Sequence, residues 1–377
     1  MRNFIRSMCF ATTAPVAVAL ALTAANAAES LRAPPPVVAP PGSDEAVRAY
    51  WTPQRIATAK TVDTMISGPL RHGPKHQSLG AATPLVIHGA GPSVDYDFSL
   101  ESRTSNPQQE EERAKAPLVG TGAIPYTTNR LYPANDKQIY KIFPYATVGH
   151  LYFSEPSGNF QCSASVIRLS TIATAGHCMA DGNGNYYSSW MFIPAHNNGA
   201  TPYGTWTWSA GIVSSAWWTG AGGVPNEQDD GVLVIAEQKY KHHLHHIGDL
   251  TGYLGYEYDA ALPTAISQLG YPCNLDSCSR PIATYSQDTA GPTNNFQWGT
   301  ASFGGASGGP EVQDFGQAPS GVPSEILGGN ILISSTSYTY TDTSVQVDGG
   351  SILYAPGQNG EYTFGDEINY ACSVGGC

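Results

Sequence analysis

The sequence predicts an all-β protein, and three observations point that way. Asp, Glu, Lys and Arg make up 13% of the 377 residues, against roughly 25% in an average soluble chain, which argues against a helical bundle, a coiled coil or a charged disordered protein. Gly (41) and Pro (28) are frequent, and 21 Tyr and 7 Trp accompany them, a mixture suited to short strands joined by tight turns. After Arg130 the chain breaks into short apolar runs bounded by Gly, Asn, Pro or Asp, at 146–153, 163–167, 190–193, 204–213, 231–235, 266–269 and 326–334. Each reads as a strand, and no long amphipathic helix stands out among them.

The chain opens with Met1-Arg2-Asn3-Phe4-Ile5-Arg6, an apolar stretch to about Ala24, and Ala25-Asn26-Ala27. A positive start, a short apolar region and an A-x-A site make residues 1–27 a signal peptide, cut after Ala27, with an uncleaved anchor as the alternative. No other segment is apolar for the ~18 residues a membrane span needs. The product is expected to be secreted, extracellular or periplasmic, and off the membrane once the signal is removed.

Residues 28–130 are rich in Pro and polar residues, with Pro34-Pro35-Pro36 and the charge run Glu110-Glu111-Glu112-Arg113. Apart from a short helix near 44–50 they lack periodicity and carry too little apolar surface for a domain. They read as a largely irregular pro-segment, or else a flexible linker, in front of a domain at 131–377. Charge divides at the same place: residues 1–130 carry 12 basic and 10 acidic side chains, residues 131–377 carry 6 and 20. The chain is expected to be made as a zymogen and processed at Arg130-Leu131. So acidic a body is a poor partner for nucleic acid or anionic lipid.

Six cysteines remain after signal removal, and in an exported chain they fall into three local disulfides: Cys162 with Cys178, Cys273 with Cys278, and Cys372 with Cys377. A metal site would want His partners beside such pairs, and none is expected.

Three motifs carry chemistry. Thr174-Ala175-Gly176-His177-Cys178 follows an apolar stretch, and a His beside a half-cystine is held rigidly, as a general base must be. Glu227-Gln228-Asp229-Asp230 opens the run Gly231–Ile235, where a buried acid can orient an imidazole. Gly304-Gly305-Ala306-Ser307-Gly308-Gly309-Pro310 can aim backbone N–H groups at an oxyanion while exposing the hydroxyl. G-x-S-x-G also occurs in α/β-hydrolases, where the His follows the Ser. The last His here is His246, so that order is excluded.

With these motifs the chain resembles the trypsin/chymotrypsin-like serine peptidases, and within them the secreted bacterial branch that includes glutamyl endopeptidases. Leu269-Gly270-Tyr271-Pro272 and Pro133-Ala134-Asn135-Asp136-Lys137 are weaker matches to that branch. The resemblance implies two perpendicular six-stranded β-barrels with the active site in the cleft. His177, Asp229 and Ser307 would form the triad, and the N–H groups of Gly305 and Ser307 the oxyanion hole. Asp229 is preferred to Asp230 because the family reads acid, any residue, small residue, apolar run. It further implies an endopeptidase acting through an acyl-enzyme on protein or peptide substrates, a monomer, with no metal and no cofactor. A noncatalytic binding module on the same fold and an enzyme processing one partner protein are the competing readings.

The chain departs from the family in its pocket. Trypsin-like cleavage would want an acid at position 301, which is Ala301, and glutamyl cleavage a His on the strand after Ser307, where 326–338 contains none. An uncharged side chain before the scissile bond is therefore expected. The tail 342–377 matches no part of the family and reads as an unplaced extension. Asp181-Gly182-Asn183-Gly184-Asn185 lacks the Glu that would close a calcium loop, and Lys241–His246 reads as a surface loop with no third metal ligand.

Overall fold

The computed structural model describes residues 33–73, 84–94, 119–120, 123–131, 138–220, 222–240, 242–262, 265–316 and 329–377. The signal peptide, the run Glu110–Arg113 and the segment Pro133–Lys137 lie outside the described residues.

Two antiparallel sheets carry the fold. In the first, Val148–Glu155, Gly158–Val166, Thr171–Thr174, Gly231–Ile235, Trp206–Val213 and Ser188–Pro194 pair in that order, and the last returns to the first, closing a six-stranded barrel. Leu151, Phe153, Val166, Ile172, Phe192, Trp206 and Leu233 fill it. The strand residues 148–153 are buried on both faces. The reason is a helix, Ser43–Tyr50, whose Val47 and neighbouring Trp51 cover Tyr152, Met191 and Ile193. A strand covered on both faces reads as a continuous apolar run rather than an alternation.

In the second sheet, Asn295–Gly299, Val347–Ser351, Ile331–Tyr340, Pro310–Gln313, Ala265–Gly270 and Ile282–Gln287 pair in turn. This sheet curls, but the described pairings do not close it into a ring. Its edges meet through a side chain, with Gly299 N–H donating to Ser286 Oγ at 3.0 Å. Phe296, Trp298, Ile331, Ile333 and Ile352 form its interior.

Two sequence expectations about boundaries are corrected. The described parts of 28–130 are not a loose appendage. Val37–Val38 and Lys60–Thr61 add strands to the first barrel, and Met65–Ile66, Leu85–Ile87 and Tyr126–Arg130 join the second sheet. Arg130 Nε donates to both carboxylate oxygens of Asp276, at 3.0 and 2.7 Å, and the Leu131 N–H donates to Pro281 O. The expected processing bond therefore sits at the end of a paired strand, with Leu131 buried. Nor is 342–377 an extension. Val347–Ser351 is an inner strand of the second sheet. Phe364–Ser373 is a helix whose Thr363 and Asp366 cap each other's backbone, and whose Phe364, Ile368 and Ala371 pack into the first core. Ten residues with Gly365 and Asp366 among them give too weak a helical signature to be read in sequence. Among the described residues no helix is long and apolar enough to cross a membrane.

Candidate active site

The closed barrel brings two of the three motifs together through register. Gly231 pairs with Thr174, so the residues just before Gly231 and just after Thr174 emerge at one end of neighbouring strands. His177 lies there in a short turn, Gly176–Cys178, pinned by the Cys162–Cys178 disulfide. Gly176 is required by close approach, since a Cβ there would lie 2.6 Å from the Trp217 ring. Trp217 packs edge-on to the His177 ring at 6.0 Å.

Asp229 is fully buried, and its carboxylate accepts three hydrogen bonds. His177 Nδ1 lies 2.7 Å from Oδ2, the His177 backbone N–H donates to Oδ1 at 2.8 Å, and the Ser337 hydroxyl donates to Oδ2. The Asp229 N–H donates to Ser351 Oγ at 2.6 Å. Asp230 turns to Glu367 of the C-terminal helix instead. Burial raises the Asp230 carboxyl to about 7 and Glu367 well above the carboxylate range. Ser337, Ser351 and Trp217 have no local sequence signal. Each comes from a distant strand or turn.

Ser307 sits where the curled sheet meets the barrel. The Ser163 N–H donates to Ser307 O at 2.7 Å, and Gly308, at φ 75°, leaves no room for a Cβ against Thr174 and Ala175. The glycines before Ser307 orient its peptides. Gly304 O accepts from the Cys273 N–H at 2.7 Å, and Ala306 O from the Gly309 N–H at 2.8 Å. Because C=O and N–H of a trans peptide point opposite ways, the N–H groups of Gly305 and Ser307 face away from those partners. The Gly305 carbonyl is itself tied to Ser163 Oγ at 2.8 Å.

The bond between Ser307 and His177 is not made. His177 Nε2 is buried with no hydrogen-bond partner among the described residues, and Ser307 Oγ donates instead to Val62 O at 3.2 Å. Residues 59–66 run through the cleft. Gln161 Nε2 donates to Ala59 O, Lys60–Thr61 lies parallel to Gly158–Val166, Thr61 and Asp63 pack against Gly304, and Met65–Ile66 lies parallel to Ile331–Tyr340. Beside Ser307 is a small pocket with walls at Phe303, Gly304, Thr336, Tyr338 and Asp348, covered by Asp63 and Thr64. Ala301 does not line it. It is buried with Tyr126, Leu275 and Ile282, so the position examined in the sequence lies outside this pocket.

Cys273–Cys278 and Cys372–Cys377 are also bonded. The His-rich segment forms a hairpin, Gln238–Tyr240 with His243–His245, and His246 Nδ1 lies 2.6 Å from Ser170 Oγ. In the loop at Asp181, the carboxylate accepts from the N–H groups of Asn183 and Asn185.

No family model matches the chain. Among curated proteins it is 25% identical over 257 residues to "Glutamyl endopeptidase" of Bacillus licheniformis, covering 65% of this chain and 74% of that protein. It is 23% identical over 243 residues to "Extracellular metalloprotease" of Bacillus subtilis, covering 56% and 72%. Similar solved structures include the protease Anisep of Arthrobacter nicotinovorans (24% identity, 60% of this chain and 93% of that one, TM-score 0.48) and a Glu endopeptidase in complex with MPD (19%, 65% and 96%, 0.46). Among the described residues one group of three, Cys162, His177 and Cys178, has ligand atoms within 4.8 Å of one another. Its two sulfurs are bonded to each other and supply no thiolates, so the group does not fit a metal.

Proposed function

We propose that this serine endopeptidase, a hydrolase of trypsin/chymotrypsin-like fold similar to the glutamyl endopeptidases, cleaves peptide bonds through an acyl-enzyme on Ser307. The observation that carries the reading is the His177 Nδ1 to Asp229 Oδ2 contact of 2.7 Å, sealed from water at the end of the barrel that meets the Ser307 loop. With Nδ1 bound to Asp229, the Nε2 lone pair is the one left to accept a proton. Ser307 Oγ attacks the scissile carbonyl while His177 Nε2 takes its proton. The oxyanion is held by the N–H groups of Gly305 and Ser307. The peptide C–N bond then breaks as His177 protonates the leaving amine, and water repeats the sequence in reverse roles to free the acid. Asp229 fixes the imidazole tautomer and stabilises the imidazolium.

The chain is exported by residues 1–27 and made as a zymogen. Residues 59–66 support the second point, because they fill the cleft in a form that resists cutting. The Val62 carbonyl presents its oxygen, not its carbon, to Ser307 Oγ, which is the wrong geometry for attack. Because the Arg130-Leu131 bond lies at a buried strand end, we place processing between residues 66 and 126, which leaves Tyr126–Arg130 on its sheet.

A phosphonylating inhibitor applied to the matured protein is expected to modify Ser307 alone, since only a serine paired with a base is nucleophilic near neutral pH. Peptide hydrolysis by Ser307→Ala at the parent rate would overturn the assignment.

A further inference from the structure

If Ser307 is the nucleophile, the pocket beside it receives the side chain that precedes the scissile bond. Its walls at Phe303, Gly304, Thr336 and Tyr338 are uncharged, and the one acid that stays when the covering segment leaves is Asp348. Asp348 lies on Val347–Ser351, opposite Trp298 on one side and Thr339 on the other, and is 1% exposed. Its Oδ2 accepts from Gln268 Nε2 at 2.8 Å, and Gln268 is itself fixed by the Thr300 hydroxyl donating to Oε1 at 2.7 Å. The Thr339 side chain also reaches this carboxylate, while no group among the described residues makes a well-formed hydrogen bond to Oδ1. None of the ion pairs among the described residues involves it.

A buried carboxylate served by neutral donors alone and by no cation is unfavourable in a folded protein. Burial accordingly raises the Asp348 carboxyl to about 7. The deficit is one that a bound cation would remove. Thr64 keeps it from being removed in the full chain, since its hydroxyl donates to Ser337 O and its carbonyl accepts from the Thr339 N–H at 3.1 Å, over the pocket.

We propose that Asp348 is the specificity-determining residue of this enzyme, receiving the cationic side chain of an Arg or Lys immediately before the scissile bond. A Glu in that position would set a second carboxylate against the first, so the preference differs from the one in the name of the Bacillus licheniformis relative. It also replaces the uncharged preference expected from the sequence. That expectation examined position 301 and the strand ending at Tyr338, whereas the acid comes from the next strand over.

The test uses the full-length chain, expressed and matured by its secreting host, with peptide anilides ending in Arg, Lys, Gln, Leu or Glu. Cleavage after Arg or Lys is expected to exceed all others by about 10-fold or more in kcat/KM. Equal or faster cleavage after Gln, Leu or Glu overturns the proposal. Inhibitor labelling of Ser307 in the same sample separates the two readings. A labelled serine without basic preference removes only the role of Asp348, while an unlabelled one removes the nucleophile. In Asp348→Asn the Arg-to-Leu ratio of kcat/KM is expected to fall about 10²- to 10³-fold, as when one partner of a buried charge pair is lost. An unchanged ratio overturns the assignment. A readout that needs no variant is inhibition of the parent enzyme by benzamidine against neutral benzamide of the same shape. The cation is expected to bind about 10²-fold tighter, and equal inhibition refutes the proposal.

Discussion

The closed barrel and the curled sheet divide the work differently. The barrel has no free edge in its ring, and the pair it supplies, His177 and Asp229, is fixed by a disulfide, Trp217 and three hydrogen bonds to one carboxylate. The curled sheet supplies Ser307 and the pocket, and takes three additional strands, Met65–Ile66, Leu85–Ile87 and Tyr126–Arg130, whereas the barrel takes two short ones, Val37–Val38 and Lys60–Thr61. Proton transfer tolerates little misplacement, whereas peptide recognition by strand addition needs backbone groups still able to pair. Both sides of the cleft receive added strands, and the sheet side receives more of them, while the fixed proton-transfer pair lies on the barrel side.

The largest test of this division lies within the rigid half. Asp229→Asn is expected to lower kcat by about 10⁴, the effect of losing the tautomer-setting carboxylate. Asp230→Asn is expected to change kcat little, because that side chain faces Glu367. Turnover measured in the reverse order would move the role to the adjacent residue.

On the receptive half, precursor and matured forms are expected to differ. Ser307 in the uncut chain should react with a phosphonylating agent about 10²-fold more slowly, since its proton is held by Val62 O rather than by a base. Equal rates would mean that residues 59–66 do not restrain the nucleophile. N-terminal sequencing of the fast form is expected to find a start between residues 66 and 126.

Replacing both Cys162 and Cys178 by Ser opens a 16-residue span, and on a chain-entropy estimate such a loop contributes about 3 kcal/mol. Urea titration should register that loss, and kcat should fall as well because the turn carrying His177 is released. A stability loss with unchanged kcat would show that Trp217 and Asp229 suffice to hold the base.

The smallest expected effect is a pH dependence shared by both halves. Burial raises Asp230 and Asp288 to about 7, and Glu311 and Glu367 well above the carboxylate range. These groups are neutral when folded, yet ionise in the unfolded chain above about pH 4. The unfolded state then binds fewer protons, so they make stability fall as pH rises above about 4, and the part due to Asp230 and Asp288 levels off above about 7, which makes pH 4 to 7 the window to follow. Glu311→Gln is expected to flatten the slope of the urea midpoint across it. An identical slope in parent and variant would exclude that carboxyl as its source.

Legibility in the sequence followed the range of the interactions. Thr174–Cys178, Asp229–Ile235 and Gly304–Pro310 are contiguous because a strand end, a tight turn and a glycine-flanked serine are each local requirements, and they carried the fold class with them. Ser337, Ser351 and Asp348 act across a sheet, where nothing in the neighbouring residues marks a hydroxyl or an acid as facing the site. Residues 59–66 were hidden for a related reason. Lys60–Thr61 and Met65–Ile66 are two residues each, too short for alternation to be recognised, and they are extended because longer strands receive them.

The path of residues 59–66 also bears on how activation would stay complete. While the segment belongs to the same chain, it meets the cleft at an effective concentration of about millimolar, whatever the protein concentration. One cut on its C-terminal side turns that encounter bimolecular, and in dilute solution the same contacts no longer suffice to refill the cleft. Scission and dilution together act as a ratchet, releasing the enzyme without weakening a single hydrogen bond.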